Sequence, residues 1–170
     1  EAAPVAPAIG AAESAFIAER DGFYMATIGS NGFPYVQFRG GPAGFLKVLD
    51  ESTLAYADFR GNLQYISVGN LQGNDRAALI LMDYANRRRL KIYARIEVVD
   101  AAVNPELIAQ LEDRDYPARV ERAMLLPVEA VDWNCPQHIT PRYTMEEIRE
   151  MNAPLLEHIA KLEAELELLR

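Results

Sequence analysis

The chain of 170 residues carries one cysteine, Cys135, so no intrachain disulfide can form and a reducing, cytoplasmic compartment is the simpler expectation. Histidine is almost as scarce. His138 and His158 alone cannot supply the ligand clusters that zinc sites use, and no metal site is expected. No apolar run approaches the roughly 20 residues of a membrane-spanning helix. The strings G-x-G-x-x-G and G-x-x-x-x-G-K are both missing, which excludes the dinucleotide and nucleoside triphosphate folds that depend on them. Lysine is rare too: 3 of the 17 basic residues are lysine and 14 are arginine, the side chain suited to bidentate contact with phosphate or carboxylate. The net charge of −8 argues against a nucleic-acid partner, because such binding rests on neutralising phosphates.

What is present suits one packed domain: half of the residues are hydrophobic. The opening Glu1 to Pro7 is small and proline-rich, so residues 1–12 are expected to form a flexible leader, residues 13–143 the domain, and residues 144–170 a C-terminal amphipathic helix. Glu13–Arg20 reads as a short helix and Phe23–Ile28 as the first strand. Asn31-Gly32 marks a tight hairpin, because this dipeptide accepts positive φ readily. Phe45–Leu49 and Thr53–Asp58 read as a second hairpin. The apolar run Ala77–Met82 reads as a strand buried on both sides, and Arg89–Val98 alternates as a half-exposed strand should. Asn104-Pro105-Glu106 starts a helix, with a capping side chain followed by proline. Ala123–Trp133 is the last strand, broken or bulged at Pro127. About seven strands with short joints predict a mainly β fold, an antiparallel barrel with peripheral helices.

The stretch from Pro34 to Leu71 holds the candidate chemistry. Arg39-Gly40-Gly41-Pro42 ends one strand where the backbone can turn sharply and expose its amides. Phe59-Arg60-Gly61-Asn62-Leu63-Gln64 leads from another into a short helix beginning near Tyr65. Arg39, Arg60, Asn62, Gln64 and the free amides of that helix start can converge on a phosphate. From the residues alone this is an anion site at strand ends.

PYVQFRGGPAGFLKVLD, LAYADFRGNLQYISVGNL, DYANRRRLKIYARIEVVD and DWNCPQHITPRY, in that order, resemble the pyridoxamine 5'-phosphate oxidase-related flavin-nucleotide-binding proteins over about residues 15–143. The resemblance implies an FMN-binding split β-barrel, here with a long C-terminal helix, and a homodimer with flavin at the subunit interface. It places the phosphate near Arg39, Gly40, Arg60, Asn62, Gln64 and Ser67, with Asp58 and Phe59 beside the ring. Asp58 can instead orient an arginine. Arg89 on its strand is a further candidate, either on the flavin or, with Arg87 and Arg88, on a solvated turn. Trp133 and Gln137 are candidates for the ring and its polar rim, Trp133 being otherwise core. Cys135 and His138 are neighbours without a third orienting group, so no catalytic side chain is named.

The sequence also departs from the authentic oxidases. It has no C-terminal Arg-x-His segment, and Arg60-Gly-Asn62-Leu-Gln64 replaces an Arg-Lys pair, which speaks against pyridoxamine phosphate as substrate. An FMN-dependent oxidoreductase of another substrate is the first expectation. The alternatives are a non-catalytic flavin-sequestering protein, or the same barrel binding a deazaflavin or haem. In the tail, Thr144 and Glu147 form a capping box, and Ile148, Asn152, Leu155, Ile159, Leu162, Leu166 and Leu169 recur at four- and three-residue steps. A kink or restart is expected at Pro154.

Overall fold

The computed structural model describes residues 9–133 and 135–169. Residues 1–8 of the expected leader lie outside it. Residues 9–12 belong to the domain instead: Ile9 is buried in the main core, and helix α1 (Ala11–Ala18) has already begun. Glu13 accounts for that early start, since its carboxylate accepts from the Gly10 amide at 3.0 Å and holds the helix entrance.

Strands β1 (Gly22–Ile28) and β2 (Pro34–Gly40) form the first hairpin, with Gly32 at φ +80° in its turn. β3 (Lys47–Asp50) and β4 (Thr53–Phe59) form the second, and α2 (Ile66–Gly73) follows. Then come β5 (Arg76–Asp83), β6 (Arg88–Arg95), β7 (Glu97–Asp100), α3 (Pro105–Leu111), β8 (Val120–Trp133) and α4 (Met145–Leu168). The eight strands form one antiparallel sheet in the order β2-β1-β5-β6-β8-β4-β3, with β7 also paired to β8. The sheet curls into a half-barrel. β2 and β3 stay at opposite ends of the ladder, so side chains close the gap rather than backbone hydrogen bonds.

β8 organises the curl. Its first half pairs with β4 and β7 and its second half with β6. The strand runs through Pro127 without a break; the register shift falls one step later, where Ala94 faces Val128 but Tyr93 faces Ala130. The expected single strand Arg89–Val98 is two, interrupted at Ile96, whose amide bonds the Asp75 carbonyl instead of the ladder. β5 corrects the reading of a strand buried on both sides. Ala77, Leu79 and Leu81 face the core, while Ala78, Ile80 and Met82 are half-buried on the outer face, one face being curled over the core and the other left open. Phe23, Met25, Leu54, Tyr56, Leu90, Ile92 and Met124 fill the concave side. α3 seals a smaller cluster of Ala55, Ala57, Leu111 and Ala123.

α4 continues through Pro154 without a restart. Its first turn is held by the expected capping box, in which the Glu147 amide donates to Thr144 Oγ1 at 3.2 Å. Among the described residues no helix is long and apolar enough to cross a membrane, and no three His, Cys, Asp or Glu side chains gather to hold a metal ion.

Candidate functional site

On β2, Val36 and Phe38 are exposed while Tyr35, Gln37 and Arg39 are half-buried, so the alternation turns Arg39 toward the concave side. On β4 the same period places Asp58 on the side of Leu54 and Tyr56, at the open end of the core. β2 and β4 are not sheet neighbours. The curl brings them together.

Arg39 Nη1 donates to Asp58 Oδ1 at 2.8 Å. Arg122, opposite Asp58 on β8, places Nε 3.6 Å from Asp58 Oδ2 and donates from Nη2 to Glu121 Oε2 at 2.8 Å. Arg60 Nε lies 3.7 Å from Glu121 Oε1. Three guanidinium groups thus face two carboxyl groups, and the cluster is cationic even when both carboxyls are ionised. Burial pushes the Asp58 carboxyl above its usual range; Arg39 and then Arg122 oppose this, and Glu121 adds to it. Arg39 Nε is buried with no hydrogen-bond partner among the described residues. Buried donors are rarely left so, and the Arg39 side chain also lines open space.

That space is a cleft of about 270 Å³, lined by Arg39, Gly40, Tyr56, Asp58, Phe59 and Arg60 among others. A recess of about 40 Å³ carries it toward Asn62, Leu63 and Tyr65. Its wall includes two non-glycine residues in the left-handed region, Leu63 at φ 63° and Tyr65 at φ 51°. The Tyr65 hydroxyl donates to Glu121 at 3.0 Å, and the Arg122 guanidinium covers the Tyr65 ring at 4.7 Å. α2 starts directly after Tyr65 with no side chain capping its first amides. Those amides point outward from the helix start, where an anion is favoured.

The segment after Arg39 behaves otherwise than expected. The amides of Gly41, Gly44 and Phe45 are taken by the carbonyls of Asp21, Arg20 and Pro42, so this turn offers no amide cradle. Gln64 is exposed, with its amide bonded to Asn62 Oδ1 at 3.3 Å, and does not line the cleft. Ser67 is buried and donates to Gln37 Oε1 at 3.0 Å, tying α2 to β2.

Three candidates stand apart. Arg89 pairs with Met82 on the outer face of the sheet, its Nε also buried with no partner among the described residues. Arg87 adopts φ 55° in the preceding turn, so it does not alternate along the strand with Arg89. Trp133 packs edge-on against Phe16 at 4.9 Å between ring centres and donates from Nε1 to Glu13 Oε1 at 2.6 Å, which leaves it on α1 and outside the cleft lining. Gln137 is exposed in a turn beside His138, and Cys135 is exposed. The sequence reading missed Arg122, Glu121 and Gln37. Gln37 was visible in the QFR string, but the pairing of Arg122 with Asp58 depends on the β4–β8 register.

The pyridoxamine 5'-phosphate oxidase family model matches residues 9–132. No curated protein matches the chain in sequence. Among solved structures, a candidate pyridoxamine 5'-phosphate oxidase of Lactobacillus delbrueckii is 20% identical with a TM-score of 0.54, over 74% of this chain and 93% of that one. An FMN-binding protein of Syntrophomonas wolfei is 12% identical with a TM-score of 0.53, over 72% and 82% respectively. An F420 reductase is 19% identical with a TM-score of 0.52, over 68% and 93%. At these identities the likeness is one of fold.

Proposed function

The chain belongs to the pyridoxamine 5'-phosphate oxidase family, and we propose that it binds FMN in the Arg39 cleft and acts as an FMN-dependent oxidoreductase. The observation that carries this is the buried, unpartnered Arg39 Nε on a cationic cluster beside open space. An anion held there completes the donor. Arg39, Arg60, Asn62 and the amides of α2 near Ser67 would hold the phosphate, and Phe59 offers an aromatic wall further in. FMN supplies the redox chemistry by accepting a hydride on its ring. The side chains fix orientation and access, and no acid or base is assigned.

A site shared between two copies of the chain fits the same reading. The cleft is smaller than the roughly 300–1,000 Å³ of ordinary ligand sites, so a flavin ring must extend beyond it. Phe38 lies both on the cleft rim and on the outer face of the sheet, where Tyr24, Val36 and Tyr93 are also exposed. Such an apolar face favours burial against another protein surface. We therefore place the ring where two copies of the chain meet. The second reading is a deazaflavin, favoured by the shared fold of the F420 reductase.

The test is the visible absorption spectrum of the purified protein with and without added FMN, followed by anaerobic addition of a reduced nicotinamide. A bound flavin that bleaches supports the reductase. A bound flavin that resists every donor leaves a sequestering protein, and no binding at excess FMN overturns the proposal. Stoichiometric binding of a deazaflavin in place of FMN establishes the second reading.

A further inference from the structure

α4 has no buried residue, although it carries a continuous apolar stripe. Ile148, Leu155, Ile159, Leu162, Leu166 and Leu169 are between 39% and 83% exposed. A helix of this length spans about 36 Å, and one with an internal proline and no packing partner is marginal in water. Something must cover the stripe.

We propose that α4 pairs with α4 of a second copy as a parallel, two-stranded coiled coil whose register is set by Asn152. The stripe is a heptad seam. Ile148, Leu155, Leu162 and Leu169 occupy one core position, and Asn152, Ile159 and Leu166 the other, the latter written a and the former d. Ile159 at a between Leu155 and Leu162 at d is the combination that favours two parallel strands, although Ile148 at d and Leu166 at a do not share it, and a single asparagine at a specifies register at some cost in stability. In the parallel arrangement Asn152 meets Asn152 of the partner subunit, and the two amides satisfy one another. In the fully overlapped antiparallel arrangement Asn152 faces Leu162 of the partner subunit, which buries an amide without a partner.

The flanking positions agree. Parallel pairing sets each g residue against the e residue five positions on in the other copy. Met151 then lies against Leu156 of the partner subunit, and His158 against Glu163 of the partner subunit, so like meets like and base meets acid. Antiparallel pairing gains Arg149 against Glu163 of the partner subunit, but it sets Met151 against Glu165 of the partner subunit and His158 against itself. Pro154 falls at c, on the side away from the seam, so its missing amide disturbs no contact there. The pairing does not depend on flavin binding, so its failure would leave the cofactor reading untouched.

The test is a cysteine crosslink in the full chain, with Cys135→Ser to remove the native thiol. At d, Leu162→Cys meets its own counterpart in the parallel pair, within reach of a disulfide. In the antiparallel pair the two copies of position 162 are separated by about ten residues of helix rise on each strand, roughly 15 Å. The expected result is a covalent dimer on mild oxidation, formed at least about tenfold faster than with Glu157→Cys on the outer side, because pairing raises the local thiol concentration. Equal rates for the two variants would overturn the proposal. Crosslinking only when Asn152→Cys and Leu162→Cys chains are mixed would overturn it in favour of the antiparallel form. Leu162 is exposed in the single chain, so the barrel core is the same in every variant.

Discussion

Arg39 gives one guanidinium nitrogen to Asp58 at 2.8 Å and keeps another, Nε, buried with no partner among the described residues. Asp58 therefore does two opposed things: it orients the arginine, and it competes with any anion the arginine is to hold. Arg39→Ala is expected to raise the FMN dissociation constant by more than about tenfold, or about 1.4 kcal/mol. Arg60→Ala costs less, because its side chain is 46% exposed and its interaction with Glu121 is screened by solvent. Quenching of FMN fluorescence on titration measures both. Changes below about twofold in both variants would remove the phosphate from this cleft.

Asp58→Asn separates orientation from competition. Burial holds the Asp58 carboxyl above its ordinary value in the folded chain, so the folded state binds more protons than the unfolded state between the two values. Stability from this group is full below the unfolded value and declines as pH rises through the folded one. The neutral variant should therefore be at least as stable as the parent at pH 7, should lack that decline, and should bind inorganic phosphate more tightly. Thermal unfolding from pH 4 to pH 7 reads the first two. A variant that melts below the parent at pH 7 would mean that the carboxylate charge is needed to hold Arg39 and Arg122.

Glu13 titrates in the opposite sense. The Trp133 indole donates to its carboxylate, and this bond holds the Glu13 carboxyl below its ordinary value, with the Gly10 amide assisting. The stability it gives is present above the unfolded value and is lost as pH falls through the lowered one. Trp133 is the sole tryptophan, so the emission comes from this one indole, which also meets Phe16 and Arg88. The emission should shift in a single step below the usual carboxylate range, and Glu13→Gln should abolish the step. A step that persists in the variant would assign it to another group.

The strand pattern was legible because alternation and turn chemistry are local: Asn31-Gly32, the Asn104 cap and the Thr144–Glu147 box all lie where their residues put them. Arg39 and Arg60 were legible as candidates because each ends a strand beside glycine, and the structure places both on one cleft. What was not legible rests on register and curl. Arg122 reaches Asp58 only through its pairing across β4 and β8. Trp133 looked like a flavin contact from its neighbours in sequence, yet it packs on α1, 120 residues earlier in the chain, through Glu13 and Phe16. Of the two readings of the arginine run, the turn holds for Arg87 and the strand for Arg88 and Arg89, because three successive arginines conceal where the turn ends and the strand begins.

Leu63 tests whether the left-handed residues serve the site. Its side chain is exposed and its φ is 63°, a conformation that costs a leucine roughly 1 kcal/mol or more and a glycine little. Glycine also loses more entropy on ordering. If the conformation has no role beyond closing a loop, Leu63→Gly should leave FMN affinity unchanged while stability moves by less than about 1 kcal/mol. If the recess must be ordered before an anion arrives, the same variant keeps its melting temperature but loses affinity, because the flexible loop must be ordered on binding. Arg39 and Asp58 are already fixed by their own ion pair, whereas the amides after Tyr65 are not, so the second outcome is the expected one. Calorimetric melting of the apo protein alongside an FMN titration distinguishes the two.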